Sequence, residues 1–163
     1  MSTKKSRIKI ILIVLLVIIS MPVVLMLSNK GAPVGWGWWG PVNADDGIAI
    51  HGYDPVAYFE GNKAEQGIQQ HNHEWNGVTW HFSSQQNKSL FQEDPEKYAP
   101  EYGGYCATAV SAGITFDADP ASWHIENNKL YLFYDNGAKQ DWLSKLETGV
   151  ITTGNSKWAA RMN

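Results

Sequence analysis

Ile10 to Leu27 is an eighteen-residue run without a charge, interrupted only by Ser20 and Pro22. As a helix at about 1.5 Å per residue it reaches roughly 27 Å, close to the hydrocarbon thickness of a bilayer. Ile8 or Ser28 closes the remaining gap. A buried core helix is the competing use, but nothing in the run is amphipathic. Pro22 is tolerated in a membrane helix. Lys4, Lys5, Arg7 and Lys9 precede the run and only Lys30 follows it. The positive-inside rule then keeps the N-terminus in the cytoplasm and places the remainder outside. A cleaved signal peptide has a shorter apolar core, about 7–15 residues, followed by a small-x-small site that is missing directly after this run. The expected organisation is a basic cytoplasmic tail (1–9), a transmembrane signal-anchor (10–28), a linker (29–43) and a folded domain (44–163). That is a single-pass protein of the inner membrane, in contact with lipid, its domain facing the periplasm or cell exterior. Cleavage of the anchor is the alternative.

Gly31 to Asn43 reads GAPVGWGWWGPVN, four Gly and two Pro in thirteen residues, the composition of a linker. Trp36, Trp38 and Trp39 suit the membrane interface, where an indole is half-buried and its N–H stays wet; a partner-docking motif is the other use. From residue 31 onward eight Lys and Arg face sixteen Asp and Glu, a balance of −8. Such a domain repels phosphate backbones, so no nucleic-acid partner is expected. Cys106 is the lone cysteine. It excludes a disulfide framework and a multi-Cys zinc site within one chain.

The domain reads as α+β, built of short hairpins and short helices. Asp54-Pro55 opens a helix through Phe59. Ile68–Trp75 and Val78–Phe82 form a hairpin at Asn76-Gly77, the strongest two-residue hairpin signal. Ser83 or Ser84 caps a helix carrying Leu90 and Phe91, and Asp94-Pro95 starts a further turn. Tyr102 to Tyr105 is a tight turn, and Cys106–Ser111 a short helix closed by Gly113. Trp123–Glu126 and Lys129–Tyr134 form a second hairpin around Asn127-Asn128; its second strand is apolar on both faces and so central. Asp135–Leu146 is an amphipathic helix, and a last helix carries Trp158.

GYDPVAYF (Gly52–Phe59), WNGVTWHFSSQQNKSLFQEDPEKYAPEYGGYCA (Trp75–Ala107), Asp119-Pro120 and KLYLFY (Lys129–Tyr134) resemble the YHS-domain family, and within it a bacterial secreted or membrane-anchored branch. The resemblance covers nearly all of residues 47–160 and implies a compact YHS-type domain. It also implies association with metals, since members of the family gather three thiols for a soft cation. This sequence carries Ala57, Ser83 and Asn87 where those thiols would stand, so that site is not inherited. The branch includes members with selenocysteine at the position of Cys106, which implies that chalcogen chemistry matters there.

Cys106 is then either a soft ligand or nucleophile primed by a helix N-terminus, or a buried structural residue. His71 and His73 share one side of a strand, and the resemblance singles out His71; His81 alternates with Trp80 and Phe82. Together Cys106, His71 and His81 make the expected set for copper or another transition-metal ion. The alternatives are a redox enzyme in which Cys106 exchanges with an external thiol or a membrane redox protein, and a non-catalytic interaction scaffold. His51 precedes the GYDP turn, and His124 reads as surface. Asp54 reads as a helix cap, Asn87-Lys88-Ser89 is a formal glycosylation sequon, and the eight tryptophans read as core and interface rather than a ligand cage.

Overall fold

The structure, a computed structural model, describes residues 31–33 and 40–161. The expected anchor and Trp36, Trp38 and Trp39 lie outside them. Among the described residues no helix is long and apolar enough to cross a membrane.

The domain is α+β. β1 (Gly31–Pro33) pairs antiparallel with β6 (Ile114–Phe116), so the stretch read as a linker supplies a strand. Val42 and Asn43, read there too, are 4% and 6% exposed and belong to the interior. β2 (Ala44–Asp45), β3 (Ile48–Ala49), β5 (Val78–Phe82) and β4 (Ile68–Trp75) form one sheet in that order, with β3 and β5 parallel. The β4–β5 hairpin turns at Asn76 (φ 54°) and Gly77 (φ 78°), the double left-handed pair a two-residue turn requires. β7 (Asp119–Glu126) and β8 (Lys129–Phe133) form the second hairpin, turning at Asn127 and Asn128, both also left-handed. β8 is buried from Leu130 to Phe133, as its two apolar faces demand, yet it pairs within a two-stranded sheet rather than at the centre of a larger one. Tyr134 falls past its end and is 47% exposed.

The helices are short: α1 (Ala57–Glu60), α2 (Gln85–Glu93), α3 (Pro95–Tyr98), α4 (Ala107–Ala112), α5 (Asn136–Leu143) and α6 (Val150–Arg161). Ser84, Asp94 and Asp135 each accept a backbone N–H three residues on, closing the N-termini of α2, α3 and α5. α5 stops at Leu143, and Leu146 lies in a separate turn. α2 lays Phe91 against Trp75, Trp80 and Phe82 of the β4–β5 hairpin, with ring centroids 5.1–5.7 Å apart. Trp142 of α5 packs on Tyr131 and Phe133 of β8.

Candidate functional site

Cys106 is 2% exposed and belongs to the apolar core. Its N–H donates to the Phe116 carbonyl at 2.9 Å, and its backbone bridges Leu132 of β8. The motif around it is a packed corner. Tyr102, Gly103 and Gly104 all have positive φ. A Cβ on Gly103 would stand 2.1 Å from the Pro41 carbonyl oxygen, and one on Gly104 would stand 2.5 Å from Ile50 Cγ2. Both glycines are therefore fixed by close approach as well as by backbone conformation. Tyr105 is 1% exposed and its hydroxyl donates to the Gly40 carbonyl at 3.1 Å.

The histidines do not gather around that sulfur. In β4, His73 lies opposite Trp80 and its ring meets Phe91 edge-on at 6.4 Å; His71 falls where the pairing with β5 is irregular, between Ile68 and Asn72. His81 lies opposite Asn72, on the other face of the hairpin. Of the expected trio, Cys106 belongs to the core and His81 to the face of the hairpin opposite His73. Among the described residues, no group of three His, Cys, Asp or Glu is placed to hold a metal. His51, at left-handed φ 55°, holds Asp117 Oδ1 through Nε2 at 2.9 Å. The same carboxylate oxygen accepts from Asn43 Nδ2 at 2.8 Å. His124, read as surface, is half-buried, bonded to Glu126 and edge-on to Trp142.

The three positions that match thiols in the resembled family do meet. Asp54 is fully buried. Its Oδ1 accepts from the Val56 and Ala57 N–H groups. Its Oδ2 accepts from the Ser83 N–H, the Ser83 hydroxyl and Asn87 Nδ2 at 2.8, 2.7 and 2.6 Å. Asn87 also reaches the Ser83 hydroxyl, at 3.3 Å. Five donors saturate one carboxylate, and no soft donor is present, so the residues here do not fit a soft cation. Asp54, read as a helix cap, stands two residues ahead of the Val56 N-cap of α1, holds the Val56 and Ala57 N–H groups, and with its other oxygen ties α1 to α2. The amide of the Asn87 sequon is consumed in this knot.

An aromatic-lined concavity lies elsewhere in the domain. A groove of about 320 Å³ opens between the Pro41–Val42 segment, the turn after α3, the tips of both hairpins and α6. Trp80 and Tyr102 form its floor, Trp75 and Trp158 its walls, and Asn76, Glu96 and Lys129 its rim. Burial pushes the Tyr102 hydroxyl well above the usual phenol range, so it stays neutral. That hydroxyl donates to Asn155 Oδ1 at 3.0 Å, which locks the floor to α6. Sequence reasoning missed this site because its lining comes from five separate stretches and no local spacing signals it.

Compared with known families, residues 56–102 match the model of the YHS domain; the match spans α1 to the turn at Tyr102 and ends before Cys106. Comparisons with curated proteins and with solved structures gave no match.

Proposed function

Because this chain carries a YHS domain, we propose that it is a membrane-anchored, extracytoplasmic binding module of that type, with no catalysis of its own, whose recognition surface is the aromatic groove. One contrast carries the reading: the sulfur is 2% exposed, whereas the Trp75 and Trp158 walls stand beside open solvent. Copper binding and thiol redox turnover both need a thiolate that a ligand or oxidant reaches, and a thiol buried in apolar surroundings is inert. The charge-free run Ile10–Leu27, with its basic flank on one side, supports the anchor. Tethering then raises the concentration of the groove near partners at the same membrane.

Alkylation of the full-length chain tests this. Iodoacetamide at neutral pH is expected to leave Cys106 unmodified until denaturant unfolds the domain. Titration with Cu(I) is expected to show no one-to-one uptake that Cys106→Ser removes. Rapid labelling of the folded chain, or stoichiometric Cu(I) lost in that variant, would return the function to the sulfur. Protease protection in membrane vesicles checks the topology, with the domain expected outside the cytoplasm.

A further inference from the structure

We infer that the groove takes an extended, proline-containing peptide with a basic flank; this rests on the groove being the recognition surface and names its ligand.

The lining supplies the first argument. Three indoles and one phenol share the lining with the rings of Pro41 and Pro100. Proline-rich segments pre-organise as a polyproline helix and dock into aromatic-lined grooves at low entropic cost. The second argument is hydrogen-bonding capacity. A polyproline helix has no internal hydrogen bonds, so its carbonyls need outside donors. The indole N–H of Trp80 is spent on the Trp75 carbonyl at 3.1 Å. Those of Trp75 and Trp158 have no hydrogen-bond partner among the described residues, which leaves two uncommitted donors among the lining residues.

Rigidity is the third. Trp158 packs against Tyr102 and Tyr105 at ring distances of 6.0 and 5.9 Å, with the Arg161 guanidinium 4.5 Å over its face. The wall is therefore formed before any ligand arrives, which reduces the ordering cost of binding. Charge gives the last. At the rim Glu101 is neutralised by Lys129 at 3.2 Å, while Glu96 is exposed and has no ion pair among the described residues. The rim is net negative on a domain with a balance of −8, so a basic flank is favoured over an acidic one.

The test uses the full-length chain in detergent micelles and three blocked peptides of equal length: a polyproline peptide ending in two arginines, the same peptide ending in two glutamates, and an alanine-based peptide ending in two arginines. Calorimetry is expected to show saturable binding of the first, with the alanine-based peptide at least about tenfold weaker. The acidic version should be weaker by about two- to fivefold, an order that Glu96→Lys should reverse. Trp158→Phe keeps a ring and loses the donor, so it should weaken the first peptide several-fold without unfolding the domain. Equal binding of the alanine-based peptide would overturn the ligand class and leave the groove standing. No saturable binding by any peptide, or binding indifferent to both variants, would overturn the inference, while the alkylation result judges the binding-module reading separately. Self-association abolished by Trp158→Phe would assign the groove to a second copy. Peptide binding that appears only after Trp36, Trp38 and Trp39 are replaced by alanine would assign it to the chain's own segment. Either result overturns the peptide.

Discussion

Asp54 shows how much one side chain fixes. Its two oxygens satisfy five donors drawn from α1, the end of β5 and α2, with no water needed. Replacing it with alanine strands those donors in the interior, and Asp54→Ala is expected to cost about 3–5 kcal/mol by urea denaturation. Asp54→Asn keeps one accepting oxygen but turns an amide donor toward the remaining donors, so it should cost nearly as much; a much smaller loss would mean that those donors do not depend on the second oxygen. Glycine gives a second comparison at the same scale. Gly77 and Gly103 both have positive φ, but a Cβ at Gly77 meets nothing within 4 Å, while one at Gly103 meets the Pro41 carbonyl. Gly77→Ala should cost about 1–2 kcal/mol, the left-handed penalty alone. Gly103→Ala should lower the thermal midpoint much further, since backbone must move. Similar midpoints for the two variants would remove the close approach from the account.

Elements were legible where their cause is local. Asn76-Gly77 and Asn127-Asn128 tolerate positive φ, so both hairpins could be placed from the sequence. The serine and aspartate caps marked helix starts, and Ser84→Ala is expected to cost about 1 kcal/mol in thermal or urea denaturation; no loss would show that the α2 terminus is held by tertiary contacts instead. What was not legible depends on distant partners. Periodicity gives a strand's faces but not its neighbour, so neither the parallel pairing of Ile48 with Thr79 nor the antiparallel pairing of Gly31–Pro33 with β6 could be read. Ile50 is β-branched yet stands at φ 41°, fully buried, its N–H bonded to the Asn43 carbonyl. There tertiary packing overrides local preference. The candidate site divides in the same way. Cys106 stood out by being alone, but only the fold shows that its side chain is buried in the apolar core. The groove was invisible because tryptophans at 75, 80 and 158 announce burial, not adjacency.

Across the whole molecule the phenols set an alkaline limit. Burial raises Tyr58, Tyr102 and Tyr105 above the usual range and pushes Tyr131 up to about 12. A folded-state pKa above the unfolded value near 10 favours the neutral form in the fold. That contribution is complete below pH 10 and is lost as pH climbs through the folded values. The thermal midpoint should therefore be unaffected by these groups from pH 7 to 9 and fall steeply beyond about pH 10. Tyrosinate absorbance at 295 nm should rise with unfolding for these residues; all seven tyrosines titrating together near 10 in the folded chain would contradict it. Gly40 to Asn43 has its own consequence at this scale. The Gly40 carbonyl is gripped by the Tyr105 hydroxyl and the Arg161 guanidinium, 65 and 121 positions downstream. A pull arriving along the polypeptide from upstream thus loads the short β1–β6 pair first and, behind it, a buckle anchored in the interior and α6, which shields the larger sheet from the force.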